Sequence, residues 1–221
     1  MTTSGTTVFD LQIDDLIEEA FERCGMQMTN GKQLSTARRS LNLMFLEWAN
    51  RGLNLWTIEL ATYNLVQGDT EITLPTDTVN VLSAVIRLTG QTPATDIIIE
   101  RIGREQYLDI PDKTTQAQPA QYYVQRTNTP KLFVYPTPNQ PYQLRYYRIR
   151  RIQDAGTYTN TTDVNFRFLP CLAAGLSYYL SLKYSPDRTQ GLKAIYEEEF
   201  ARAAAEDRDT ASTYFVPDLG A

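Results

Sequence analysis

The sequence predicts an α+β protein, in which terminal helices form an α-helical bundle with an inserted antiparallel β-rich domain. Apolar residues recur every three or four positions in residues 11–52 and again in 166–209, which is the spacing of amphipathic helices. Between these stretches, short runs rich in Val, Ile, Thr and Tyr alternate with Gly, Pro and Asp, which is typical of strands and turns. At 221 residues the chain is long enough for one large domain or two small ones.

Two helices are predicted at the start of the chain. DLQIDDLIEEAFERCG (10–25) has acidic residues near its start and Arg23 near its end, as the helix dipole favours. QLSTARRSLNLMFLEWANRG (33–52) carries a second apolar stripe. Gly25 and Gly52 follow the two stripes and indicate where each helix ends.

Two more helices are predicted near the other end. The first is FRFLPCLAAGLSYYLSLKYS (166–185), and the second is SPDRTQGLKAIYEEEFARAAAEDRD (185–209). Ser185 is the expected N-cap of the second, with Pro186 at its first position. Its apolar stripe comprises Leu192, Ile195, Tyr196, Phe200 and Ala203.

The middle of the chain reads as a run of antiparallel strands with one short helix at REQYLD (104–109). VQGDTE (66–71) lies between two strand-like segments and reads as a hairpin turn. The predicted domains are therefore residues 1–54 (N-terminal helices of the bundle), 55–152 (antiparallel β-rich domain), 153–209 (C-terminal helices completing the bundle) and 210–221 (extended C-terminal arm).

The composition excludes several kinds of chemistry. The chain has no histidine, which removes the commonest general base and metal ligand. The acidic runs DD (14–15), EEE (197–199) and EDRD (206–209) read as solvated helix faces. We therefore expect no enzyme activity, no catalytic residues, no cofactor and no metal. No apolar run approaches 18 residues, so no membrane span is expected either.

The stretch LRYYRIRRIQD (144–154) places Arg145, Arg148, Arg150 and Arg151 among aromatic and aliphatic residues. Such a strand could have charged ends on both faces, could reach acidic residues of a neighbouring copy, or could bind nucleic acid. A net charge of −5 and a pI near 4.9 argue against broad phosphate binding. A carboxylate-dependent hydrolase and a nucleic-acid-binding protein that uses the Arg145–Arg151 strand nevertheless stay open as alternatives.

Several segments together resemble a known family. They are STARRSLNLMFLEWANRGLNLWTIE (35–59), DIIIERIGREQYLDIPDKTTQAQPAQYYVQR (96–126), LFVYPTPNQPYQLRYYRIRRIQDAG (132–156), FRFLPCLAAGLSYYLSLKY (166–184) and YEEEFARAAAEDRD (196–209). Their order resembles that of the head-to-tail adaptor proteins of short-tailed bacteriophages, described as tail tubular protein A-like or packaged-DNA-stabilisation-like. The resemblance covers nearly the whole chain.

The resemblance implies a structural virion protein of the neck and tail, assembled in the host cytoplasm. It implies a homo-oligomeric ring of twelve copies with two partners, the portal protein above and the tail nozzle (tail tubular protein B-like) below. Channel DNA would pass through the ring without specific binding. The family offers no catalytic residues to transfer to this chain.

Three groups of residues are candidates for partner contacts. Arg148 and Arg150 are expected to serve as sheet framework and interface material. Ala203 lies in ARAAAE (201–206), whose small side chains would permit close approach of a neighbouring helix. The C-terminal arm carries an apolar cluster expected to dock on a partner, formed by Tyr214, Phe215, Val216 and Pro217.

Overall fold

The computed structural model describes residue 5 and residues 11–52, 55–88 and 93–206. The chain divides into two compact units, one made of Met1–Leu55 with Ile152–Ala221 and the other of Trp56–Arg151. The first is helical and the second is rich in strands. The predicted α+β class, with helices at both ends of the chain flanking a β domain, is confirmed.

The helices and strands of the described residues follow the sequence periods closely. The helices are α1 (Ile13–Arg23), α2 (Gly31–Asn50), α3 (Arg104–Leu108), α4 (Leu169–Tyr184) and α5 (Thr189–Glu206). The strands are β1 (Ile58–Leu65), β2 (Glu71–Thr73), β3 (Thr78–Leu88), β4 (Thr95–Arg101), β5 (Gln116–Ala117), β6 (Gln121–Gln125), β7 (Lys131–Tyr135), β8 (Thr137–Pro138) and β9 (Tyr142–Arg150).

Local chemistry fixes the ends of the first two helices. Gly25 has φ of 73°, a left-handed conformation that glycine adopts at little cost, and its N–H donates to Glu22 O at 2.7 Å. Helix α2 begins with a capping box, in which the Gln33 N–H donates to Asn30 Oδ1 at 3.0 Å and the Asn30 N–H donates to Gln33 Oε1 at 3.3 Å. The predicted stop at Gly52 is also found, at φ of 83°.

Helix α4 is the centre of the helical unit. It packs against α1, α2 and α5, and its apolar and small side chains are buried on nearly every side. Because α4 packs against three helices, its apolar residues are spread around the helix and form no single stripe. No helix in the described part of the chain is long and apolar enough to cross a membrane.

A polar network joins α2 to α5; it is buried at Trp48 and Tyr196 and open to solvent at Arg51. The Trp48 indole N–H donates to the Tyr196 hydroxyl at 2.9 Å, and that hydroxyl donates to Glu47 Oε2 at 2.8 Å. The Arg51 guanidinium binds Glu197 through two hydrogen bonds of 2.8 Å and lies 4.3 Å from the ring centre of Phe200. Each polar group in this contact is therefore paired, as burial requires.

The start of α5 differs from its prediction in two details. Pro186 opens a 3-10 turn, Pro186–Arg188, rather than α5 itself, and the Ser185 hydroxyl donates to Cys24 O at 3.1 Å instead of capping. Of the predicted apolar stripe of α5, Tyr196 and Ala203 are buried, whereas Ile195 is 48% exposed.

The strands of the β unit form a seven-stranded sheet in the order β1-β9-β3-β4-β6-β7-β2. Its pairs are antiparallel apart from β4 with β6, which run parallel. A two-stranded parallel pair, β5 with β8, accompanies it. Strand β9 is the last in the chain, yet it lies between β1 and β3. The pairing of β1 with β9 therefore joins the two ends of the insert in sequence.

The sheet must curl, because residues 66–70 connect its two edge strands, β1 and β2. Six chain steps reach at most about 22 Å, while the edges of a flat seven-stranded sheet lie about 29 Å apart. Residues from both edge strands accordingly share one buried core with the central strands. The predicted hairpin turn at VQGDTE is wrong, since the strands on either side of it do not pair.

A matched pair of glycines tests the packing of α4. A Cβ on Gly175 would lie 2.8 Å from Tyr196 Cε2 and closer still to Met44 Sδ, whereas a Cβ on Gly191 in α5 would meet nothing within 4 Å. We expect Gly175→Ala to lower the free energy of unfolding by about 1–3 kcal/mol through overpacking. Gly191→Ala should raise it by about 0.5–1 kcal/mol, because alanine favours helix. Urea unfolding followed by circular dichroism measures both, and equal effects would contradict the assigned packing.

Candidate functional site

The arginine-rich strand β9 alternates between the core and the outside of the sheet over residues 142–148. Tyr142, Leu144 and Tyr146 are buried, and Tyr147 is 47% exposed. This alternation follows from the two-residue period of a strand. It places Arg148 on the core side and Arg145 on the outer side.

Arg148 is an internal residue with its charge fully paired. It is 7% exposed, and its guanidinium donates to Glu59 Oε1 at 2.6 Å, Asp77 Oδ1 at 2.5 Å and the Thr78 hydroxyl at 2.8 Å. Glu59 lies directly opposite Arg148 in β1, while Asp77 immediately precedes β3. The arginine therefore ties β1, β9 and the start of β3 together.

The charges of this cluster stabilise one another. Burial lowers the pKa of Arg148, but hydrogen bonds to Asp77 and Glu59 outweigh burial and hold that pKa above its ordinary value. The same hydrogen bond from Arg148 lowers the pKa of Asp77. Arg150 lies beside the cluster, with its Nε 3.6 Å from Glu59 Oε2. Arg148 thus forms sheet framework and offers no free charge to a ligand.

The exposed side of β1, β9, β3 and β4 forms a surface with apolar and charged parts, which we call the outer sheet face. Its rows are set by the register: Leu60 lies opposite Tyr147, Arg145 opposite Val85, and Val85 opposite Ile98. Leu60 is 44% exposed and Ile98 is 84% exposed.

An ion triad crosses the same face. Arg87 donates to Asp96 at 2.6 and 2.8 Å, and Arg145 donates to Asp96 Oδ2 at 3.3 Å. The hydrogen bonds from Arg87 lower the pKa of Asp96. Exposed aliphatic groups beside tyrosine and arginine have the composition of a protein–protein contact.

The remaining predicted contact residues lie elsewhere or outside the description. Ala203 is 7% exposed and packs within the helical unit, so a large side chain there would disturb α5 itself; Ala201 and Ala205 are the exposed alanines of that segment. Residues Tyr214, Phe215, Val216 and Pro217, and the whole arm 210–221, lie outside the described residues.

The acidic runs do not converge on a site in the described part of the chain. Glu197 binds Arg51, and Glu198 and Glu199 both pair with Arg202. No group of three or more His, Cys, Asp or Glu side chains among the described residues is placed to hold a metal ion. The carboxylates of EEE (197–199) therefore serve as partners of arginine side chains.

Comparison with known proteins decides the family. The family model described as SU10 adaptor protein matches residues 11–218. The chain belongs to the SU10 adaptor protein family. No curated protein matches it. The head-to-tail adaptor resemblance is confirmed at this level, and the SU10 adaptor is a structural protein of a bacteriophage virion, a component of its neck.

Sequence reasoning identified the arginines of this SU10 adaptor but missed most of the outer sheet face. Tyr147 and Arg145 came from one strand, whereas Leu60, Val85 and Ile98 join them only through pairings across three other strands. The available signal was weak: apolar residues at both alternating positions of a strand, as in IIIE (97–100), indicate a strand with apolar groups on both faces.

Two arginines of β9 provide a matched test of the ion pairs. Arg148→Met should lower the free energy of unfolding by about 2–3 kcal/mol, because it leaves Glu59 and Asp77 without their donor. Arg145→Met should cost less than about 1 kcal/mol, because that pair is open to solvent. Urea unfolding of the purified protein measures both, and similar losses would show that Arg148 is not the framework residue.

Acid should weaken the cluster of Arg148, Glu59 and Asp77. The pKa of Asp77 is lowered from its ordinary 3.8, so folding binds fewer protons at this group, and the stability it contributes is present above 3.8 and lost as pH falls below that value. Wild type should exceed Asp77→Asn in unfolding free energy at about pH 6, and the difference should shrink at about pH 3. A constant difference between the two pH values, measured by urea unfolding, would exclude this linkage.

Proposed function

We propose that this SU10 adaptor is the subunit of a head-to-tail ring that joins the portal to the tail nozzle around the DNA channel. In this proposal the protein is tail tubular protein A-like, and twelve copies assemble side by side in the neck. The subunits would be made in the host cytoplasm and would assemble there on the virion. Family membership supports an adaptor, and the outer sheet face supplies a surface suited to protein contact.

The outer sheet face is the observation that carries the proposal. Isolated exposed aliphatic residues are ordinary on protein surfaces, but here Leu60 pairs with Tyr147, and Val85 pairs with Ile98, in adjacent rows of one sheet. The ion triad beside them fixes the arginines in place, which reduces the entropy cost of ordering them in a complex. A neighbouring subunit of the ring would bury this face.

Channel DNA would pass the ring without specific binding. The chain carries a net charge of −5, and Arg148, Arg145 and Arg87 are each paired with carboxylates. Repetition of an acidic subunit around a channel gives a lumen that repels the phosphate backbone. The isolated protein should therefore show no tight duplex binding at physiological salt.

The assembly proposal is tested by Ile98→Asp, which places a charge at the most exposed apolar position of the outer sheet face. Mixed with purified cognate portal, wild type should give portal–ring complexes in mass photometry, and Ile98→Asp should reduce them by about tenfold, a loss of about 1.4 kcal/mol per contact.

Val66→Asp is the matched control, since Val66 is 56% exposed in the same unit but lies outside the outer sheet face. It should assemble like wild type, and both variants should unfold at the wild-type temperature. Equal assembly by Ile98→Asp and wild type would place the contact on another surface, and failure of wild type to join the portal would refute the ring itself.

A further inference from the structure

A cleft in the β unit, separate from the outer sheet face, opens where β4 and β6 part. It has a volume of about 740 Å³. One wall is formed by the end of β4 and by α3, and the other by β6 and the start of the loop after it. We call it the α3 cleft; its lining residues are Arg101, Ile102, Gly103, Arg104, Tyr107, Tyr123, Val124, Gln125, Arg126, Thr127 and Phe133.

The cleft exists because the parallel pairing of β4 with β6 is short. The register covers only Glu100 with Gln121 and Arg101 with Tyr122, followed by one hydrogen bond from Ile102 N–H to Tyr122 O at 2.9 Å. The chain then turns at Gly103 into α3. Gln106 Oε1 accepts from Gly103 N–H at 2.8 Å, and Lys113 Nζ donates to Leu108 O at 3.1 Å, so both ends of α3 are held.

Beyond that point, β6 presents an open edge. Ala120 O and Tyr122 O both accept hydrogen bonds from the β4 side, from Glu100 N–H and Ile102 N–H. Successive residues of a strand direct their backbone groups to opposite sides, so Val124 directs its N–H and C=O the same way as Tyr122. The β4–β6 register ends before Val124, and Val124 lines the cleft. An extended chain could pair with it there.

Three arginines surround this edge. Arg101 donates to Val81 O at 3.0 Å and Asn80 Oδ1 at 3.1 Å, both neutral acceptors. Among the residues that the structure describes, neither Arg104 nor Arg126 forms an ion pair, and no Asp or Glu lines the cleft. This differs from the outer sheet face, where Arg87 and Arg145 share Asp96.

The floor of the cleft is a cluster of three aromatic rings. Tyr107 stacks on Tyr123 with ring centres 5.3 Å apart, and it lies 5.3 Å from Phe133. Tyr123 and Phe133 in turn stack at 5.8 Å. Each of the three rings therefore packs against the other two, which makes the floor apolar. Apolar side chains of a peptide could pack against their edges.

We propose that the α3 cleft binds an extended acidic peptide segment of a partner protein by strand addition to β6. The backbone of the segment pairs with Val124, and its carboxylates bind the guanidinium groups of Arg104 and Arg126. Arginine forms two parallel hydrogen bonds with a carboxylate, which gives direction as well as attraction. The site goes beyond the proposed ring and does not depend on it.

The peptide fluorescein-TDVDTDV-amide, labelled at its N-terminus, tests the charge requirement by fluorescence anisotropy with the full chain. We expect it to bind about tenfold more tightly than fluorescein-TNVNTNV-amide, and Arg104→Gln combined with Arg126→Gln should remove that advantage. The matched control is Arg23→Gln combined with Arg202→Gln, the same charge change at exposed arginines of the helical unit. It should bind the acidic peptide like wild type, and thermal unfolding should show both double variants folded.

Backbone methylation of the peptide tests the strand addition. In an added strand, alternate N–H groups face β6 and the others face away. Methylating the nitrogens of one alternate set should weaken binding about fivefold for each hydrogen bond lost, while methylating the other set should leave it unchanged. Purely electrostatic capture would make the two methylated peptides bind alike, and that result overturns the strand-addition proposal.

Two further results would also overturn it. Equal affinity for the acidic and the amide peptide would show that the arginines do not select carboxylates. A ten-nucleotide oligothymidine that binds more tightly than the acidic peptide, displaces it and loses affinity in the Arg104→Gln and Arg126→Gln variant would make the cleft a nucleic-acid site. None of these outcomes depends on whether the protein forms a ring with the portal.

Discussion

The β unit is organised around the pairing of β1 with β9. Ile58, near the start of the strand-rich insert, lies opposite Ile149 near its end. Both ends of the insert are therefore neighbours in one sheet, and the chain segments before and after it can belong to one helical unit. Arg148 holds this pairing through Glu59 of β1 and Asp77 before β3. A long-range strand pair has a high loop-closure cost, which a buried, multiply bonded arginine helps to offset.

The elements of this fold could be predicted from sequence because they are local. Periods of 3.6 and 2 residues, with Gly25 and Gly52 as stops, located helices and strands close to their observed bounds. The strand order could not be predicted in the same way. VQGDTE has the composition of a hairpin turn, yet it connects opposite edges of a curled sheet. Its flanking strands pair with β9 and β7, and nothing local to the turn encodes that choice.

The predicted contact residues show the same limit: sequence patterns locate a residue in an element but not its remote partners. The sequence placed Arg148 and Arg150 correctly in a strand and favoured framework over DNA, but the burial of Arg148 depends on Glu59 and Asp77, which are remote in the chain. The small side chains around Ala203 predicted close approach of a neighbouring helix, yet Ala203 is buried within its own chain. The aromatic floor of the α3 cleft comes from a short helix and two strands that only the tertiary fold unites.

The distribution of charge decides what the arginines of the β unit favour as partners. On the outer sheet face, Arg87 and Arg145 share Asp96, so the triad has one excess positive charge. A duplex-binding surface gains affinity from many phosphate contacts, each of which releases counterions. Each contact steepens the fall of the logarithm of the binding constant with the logarithm of the salt concentration by about 0.9. One excess charge beside Leu60 and Ile98 gives little of that affinity, whereas a protein partner would gain from burying the aliphatic groups and from one added carboxylate. The physical chemistry of this face therefore favours protein over nucleic acid, as expected of a structural adaptor protein of a virion.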